Sequence, residues 1–123
     1  MVQAERQGEQ NTLELVSLDI NDTLLLYLLD YLRVKKHRFQ VIKLVKNLIT
    51  DEGFKTLLGF LVGDSTTQLL NMTSNHLTTR SLELLVLFAE KNSSSLKTIY
   101  LGGNKISSVH LKAKRSELSK YEL

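Results

Sequence analysis

One eleven-residue pattern recurs along this chain, and it restricts the possible folds more than any other feature. It is plainest in LKTIYLGGNKI, residues 96–106, where apolar side chains occupy the first, fourth, sixth and eleventh places and Asn104 the ninth. The template fits FQVIKLVKNLI from Phe39, with Asn47 in the ninth place, and TQLLNMTSNHL from Thr67, with Asn75 there. A fourth copy is read in LELVSLDINDT from Leu13, with Asn21 in the ninth place and Thr23 in the eleventh. The starts at 13, 39, 67 and 96 are separated by 26, 28 and 29 residues, and self-similarity at such a period marks a stacked-repeat architecture.

Each part of the template has a physical reading. Apolar residues at the fourth and sixth places describe a short strand with those side chains pointing inward. Asn in the ninth place ends the strand, because its amide both donates and accepts and can satisfy turn backbone that would otherwise be buried unpaired. Stacking predicts a structural ladder of Asn21, Asn47, Asn75 and Asn104. Between copies the spacing turns helical. Thr50 caps a segment with Asp51 and Glu52 in its first turn, Phe54, Leu57, Leu58 and Leu61 form one face, and Gly63 and Asp64 end it. After Thr78 or Thr79, the stripe Leu82, Leu85, Val86 and Ala89 runs to a close at Lys91 and Asn92; in the first unit the stripe is Leu25, Leu28, Leu29 and Leu32.

The template resembles the leucine-rich repeat pattern L-x-x-L-x-L-x-x-N-x-L over most of the chain, and the long repeats with helices are similar to the ribonuclease-inhibitor-like class. The resemblance implies an α/β leucine-rich repeat solenoid: a short, curved, right-handed βα horseshoe with parallel strands on the concave face and helices on the convex face. Residues 1–12 are read as a polar N-terminal tail, 13–110 as four repeats, and 111–123 as a basic C-terminal segment with a partial helix at most. The first helix carries Leu24, Leu26, Tyr27 and Tyr31 beyond its stripe, and the third carries Leu84, Leu87 and Phe88. An end unit of a stack needs a polar outer face. The first helix therefore points to a piece of a longer solenoid, or to a subunit covered by a partner or a second copy end to end; a tail folded back over that helix is the alternative.

In such a fold the third, fifth and seventh places of each template face the concave surface. They hold Leu15, Val41, Leu69 and Thr98; Ser17, Lys43, Asn71 and Tyr100; and Asp19, Val45, Thr73 and Gly102. An apolar row with a polar and aromatic fringe is how protein interfaces are built. The candidate protein-binding residues are Val41, Lys43, Val45, Leu69, Asn71, Thr73, Thr98 and Tyr100, with Tyr100, Leu69 and Val41 as the expected hot spot.

Other chemistry finds little purchase. The chain has no Cys, which removes disulfides and thiolate sites. His37, His76 and His110 share no metal-binding spacing, so no metal and no cofactor is expected. Gly102-Gly103 lacks the context of a phosphate loop, and no paired carboxylates emerge. A net charge of +3 is too small to argue for nucleic acid unless clustered. The one dense cluster, Arg33 to Arg38, reads first as cations at a helix C-terminus, and otherwise as a nuclear localisation patch or an acidic-partner site; Lys112, Lys114 and Arg115 form a weaker one. Sequons at Asn21, Asn71 and Asn92 mean little without a signal peptide, and no apolar run approaches a membrane span. The expectation is a non-enzymatic, cytoplasmic protein-binding module, a scaffold or structural subunit, with nuclear or ciliary placement as alternatives. Other roles implied by the resemblance are GTPase activation of the Ran-activator type, and a ligand-sensing or effector fragment like those of NOD-like receptors and pathogen proteins.

Overall fold

The computed structural model describes residues 4–7, 10–91 and 93–123, so Asn92 and residues 1–3, 8 and 9 of the expected tail lie outside the described residues. The chain is α/β, with four parallel strands alternating with helices. Strand β1 (Ala4–Gln7) leads to β2 (Gln10–Glu14), α1 (Asp22–Lys35), β3 (Val41–Lys43), α2 (Asp51–Leu61), β4 (Leu69–Asn71), α3 (Arg80–Lys91), β5 (Thr98–Tyr100) and α4 (Ser108–Ala113). The sheet order follows the chain, β1-β2-β3-β4-β5. Strands β2 to β5 are parallel, and β1 is antiparallel to β2 at one edge.

The register corrects the first repeat. Leu13 lies opposite Ile42, which aligns with Leu70 and then Ile99. Leu13 is thus the fourth place of its unit, not the first, and the unit starts at Gln10. The intervals between starts become 29, 28 and 29 residues, more regular than the sequence reading. The ninth place then holds Leu18. Asn21 is not a ladder residue: it is exposed, and its side chain accepts from the Leu24 N–H as the N-cap of α1. Apolar residues serve either alignment, Leu13, Val16 and Leu18 in the one and Leu13, Leu15 and Ile20 in the other, and Asn21 supplied a false ninth place.

Alternation places Leu13, Leu15, Ile42, Leu44, Leu70, Met72 and Ile99 in a single core with the helices. Helix α1 contributes Leu25, Leu29 and Leu32, helix α2 Phe54, Leu57, Leu58, Phe60 and Leu61, and helix α3 Leu82, Leu85, Phe88 and Ala89. Phe88, read as lying off the stripe, is buried. The helices begin and end for identifiable reasons. Thr50 caps α2 by accepting from Glu52 N–H, with Asp51 and Glu52 in the first turn. Lys36 ends α1 in the left-handed region, and the His37 N–H returns to the Leu32 carbonyl.

The two ends of the sheet also differ from expectation. Residues 4–7 and 10–12 are strand rather than tail, and β1 pairs antiparallel with β2 at the sheet edge. At the other end, α4 is followed by turns, and Glu122 then pairs with Thr98. The Ile99 N–H donates to the Glu122 carbonyl at 2.8 Å. Leu118 and Tyr121 are buried, so the segment read only as a basic C-terminal one supplies two core side chains. Among the described residues, no helix is long and apolar enough to cross a membrane.

Candidate functional site

Three side-chain systems repeat from unit to unit. The first is the asparagine ladder, built by Asn47, Asn75 and Asn104. Asn47 Oδ1 accepts from the N–H groups of Leu18 and Ile20, both at 3.0 Å, while its Nδ2 donates to the Leu15 carbonyl. Asn75 accepts from Ile49 N–H and donates to the carbonyls of Leu44 and Met72. Asn104 accepts from the Asn75 and Leu77 N–H groups and donates to the Met72 and Leu101 carbonyls. Each amide thus ties its own turn to the turn of the preceding unit.

The second system escaped the sequence reading. Asp22 accepts from the backbone N–H and the hydroxyl of Thr50, and Asp51 does the same for Thr78, taking in addition the Ser81 hydroxyl at 2.5 Å. Burial pushes the Asp51 carboxyl up, but the hydrogen bonds from Ser81 and Thr78 outweigh it, and the group titrates below the usual carboxylate value. The signal was present as Asn-Asp at 21–22 and Thr-Asp at 50–51, but only the corrected register aligns them. The third system is a left-handed residue in the eighth place of every unit: Ser17, Lys46, Ser74 and Gly103, with φ of 57°, 57°, 60° and 71°. At Gly103 a Cβ would stand 2.6 Å from the Ser74 Oγ, so any larger residue there would have to displace that hydroxyl.

These systems hold open the sheet face opposite the helices. In register across it, Thr12, Val41, Leu69 and Thr98 form one row and Glu14, Lys43, Asn71 and Tyr100 the next. Val16, Val45, Thr73 and Gly102 continue the seventh place of the repeat. Thr12, Glu14 and Val16 replace Leu15, Ser17 and Asp19, which were assigned from the wrong register; Leu15 is buried in the core. Val41 needs a correction of its own. It is only 5% exposed, although it belongs to the face away from the core cluster. A short side chain flanked in register by Thr12 and Leu69 is shielded by them, so it offers a partner little area. Leu69 is half-buried, and so are Lys43, Val45, Asn71, Thr73 and Thr98. Tyr100 is 41% exposed and is the large accessible side chain of these rows. Asn71 Oδ1 is committed to the N–H and hydroxyl of Thr73, which leaves its amide nitrogen as the available donor.

The basic run is divided by its surroundings. Arg33 pairs with Asp30 at 2.8 Å, and its guanidinium lies 5.6 Å from the centroid of Phe60. Arg38 lies over the same ring, 4.8 Å from the Phe60 centroid, with its Nε 3.3 Å from Oδ2 of the buried Asp64. That contact is an ion pair without hydrogen-bond alignment, since Oδ2 has no hydrogen-bond partner. The other Asp64 oxygen accepts from the Thr66 and Thr67 N–H groups, both at 2.7 Å. Arg38 is half-buried over Phe60, Arg33 is paired with Asp30 though exposed, and Lys35 and Lys36 are exposed as well.

On the helical side a groove of about 470 Å³ runs between α2 and α3, lined by Leu58, Val62, Leu84, Leu87 and Phe88 with Lys55 at its rim. Gly59 borders it, and a Cβ there would meet nothing within 4 Å. His37, His76 and His110 lie apart, at the end of α1, in the turn after β4 and in α4. Among the described residues, no group of three or more His, Cys, Asp or Glu side chains is placed to hold a metal ion. No model of a known protein family matches the chain, and no curated protein matches it at a significant level.

Proposed function

We propose that the chain is a leucine-rich repeat module of the helix-bearing class that binds a protein partner across the sheet face opposite its helices, as a non-enzymatic scaffold or structural subunit. Support for the repeat class comes from units of 28–29 residues, each with a strand, a left-handed eighth residue and a helix, and from the amides of Asn47, Asn75 and Asn104 linking consecutive units. Stacked repeats of this kind present extended surfaces suited to protein recognition.

The observation that carries the binding proposal is the in-register row Glu14, Lys43, Asn71 and Tyr100, ending on an exposed aromatic ring. Such a row offers both charge signs, an amide donor and an aromatic anchor, each one strand-to-strand spacing from the next, the mixture found at interface hot spots. The test is proximity labelling or pull-down with wild type, Tyr100→Ala and Lys43→Glu, each checked for an unchanged thermal melt. Loss of the same partners from both variants is the expected result. Identical partner lists would sink the proposal.

A further inference from the structure

The corrected register makes the three long helices comparable position by position, and one position stands out. Tyr31 of α1 corresponds to Phe60 of α2 and Phe88 of α3. Phe60 is 6% exposed and Phe88 5%, whereas Tyr31 is 54% exposed. Phe60 is buried toward the preceding helix, where Arg33 stacks on it, and Phe88 lines the groove between α2 and α3. The same holds for Leu24, which corresponds to the buried Gly53 and Ser81, and for Tyr27, which corresponds to the half-buried Thr56 and Leu84. Helix α1 thus displays, uncovered, the face that α2 and α3 each turn toward a helix before them.

That face is a continuous seam. Leu24, Tyr27, Tyr31 and Val34 are all exposed and are spaced by three, four and three residues, the a/d spacing of paired helices. A parallel helix brought by another βα unit would need its strand beside β2, and β1 already occupies that edge in the antiparallel sense. The occupant must therefore supply a helix without a strand. The charges of α1 select its direction. Asp19 lies at the N-terminal end and Lys35 and Lys36 at the C-terminal end, all three exposed, whereas Asp22 and Arg33 are turned toward the following unit by Thr50 and Phe60. A parallel partner of like sequence sets cations against cations; an antiparallel one sets them against Asp19 and opposes the helix dipoles favourably.

We infer that this face binds a second copy of the chain, with two α1 helices packed antiparallel about a two-fold axis between Tyr27 and Tyr31, so that Leu24 faces Val34 of the other copy. Such an isologous contact is self-complementary and closes at two subunits. One helix pair buries less than the roughly 800 Å² per partner of a standard interface, so the dimer is expected to be weak and concentration-dependent. The inference stands apart from the sheet-face proposal, because it uses the opposite layer of the molecule.

The experiment is sedimentation equilibrium of the full chain across micromolar to millimolar concentration, together with cysteine cross-linking, for which the absence of native Cys leaves a clean background. A reversible dimer is expected, with Tyr31→Glu weakening it at least about tenfold while circular dichroism and thermal melting stay unchanged. Leu24→Cys mixed with Val34→Cys is expected to give a disulfide-linked heterodimer under mild oxidation, and Leu24→Cys alone little product. A chain monomeric throughout the range, a dimer indifferent to Tyr31→Glu, or preferential linkage of position 24 to itself would each overturn the inference.

Discussion

Asn104 Oδ1 accepts the backbone N–H of Leu77 at 3.0 Å, reaching back across a unit boundary to a residue 27 positions earlier. Asn75 makes the equivalent bond to Ile49 and in the same turn donates to the Leu44 and Met72 carbonyls. Removing an amide so placed leaves buried backbone groups of two units unpaired at once. Asn75→Ala is expected to cost about 2–4 kcal/mol, since each buried unsatisfied group costs about 1–3 kcal/mol. Asn21→Ala, which removes only a helix cap, is expected to cost about 1 kcal/mol. Urea unfolding of both variants checks the contrast, and equal losses would mean that the ladder stabilises no more than a cap does.

Acid sensitivity follows from Asp51. Its folded carboxyl titrates below the ordinary aspartate value of 3.8, so the folded state favours the ionised form. The resulting stabilisation is fully present above the unfolded value and is lost as pH falls through the lower, folded one. Asp51→Asn is expected to flatten the stability-versus-pH curve on the acid side of 3.8 while lowering stability at neutral pH. Thermal melts across that range provide the readout, and parallel curves for variant and wild type would contradict the assignment.

Arg38 is the partner whose loss leaves a charge stranded. Asp64 Oδ2 is buried with no hydrogen bond, and the guanidinium 3.3 Å away supplies its compensating charge. Arg38→Ala is expected to destabilise by about 1–3 kcal/mol, the cost of leaving the buried Asp64 oxygen without its partner, since Arg38 itself is half-exposed. Arg38→Lys is expected to recover only part of that, because the planar guanidinium also stacks on Phe60. Arg33→Ala, at an exposed i,i+3 pair, is expected to change stability by less than about 1 kcal/mol. A denaturant series on the three variants decides the ranking.

At the C-terminal end, Leu118→Ala is expected to cost about 2–5 kcal/mol, the range for truncating a buried leucine. The exposed Leu123 provides the control, with Leu123→Ala near neutral. Hydrogen exchange at the Ile99 amide, which donates to Glu122, should quicken in the first variant and not in the second. An unchanged Ile99 rate in Leu118→Ala would show that the closing segment does not protect β5.

The middle of the fold was readable because several independent signals coincide there. From Phe39 to Leu77 the apolar places, the asparagines, the Thr-Asp-Glu cap and the helical stripe all require one register. The first unit failed because Leu18 holds the place of the asparagine and Asn21 stands three residues on, so the leucines alone could not choose between alignments. Strand β1 was illegible for a different reason: AERQ is an edge segment with no alternating apolar signal, and backbone pairing alone makes it a strand. Leu118 and Tyr121 were hidden among charged neighbours, being held in the core by a chain reversal and not by a periodic face. Of the candidate site, Tyr100 was found at an accessible position and Val41 was not, because shielding by cross-strand neighbours depends on side-chain size more than on alternation.

The occupied sheet edges restrict how such a protein could change in length. With β1 running antiparallel along β2 and Glu122 paired to β5, neither margin offers a free site for another parallel strand beside it without displacing what is there. A unit gained or lost would be accommodated most easily in the interior, as a block of 28 or 29 residues that carries its own asparagine, its left-handed turn residue and its helix together. Partial insertions would put the amide of one unit out of step with the backbone of the next. The molecule can therefore be lengthened like a book, by binding in whole pages between its covers.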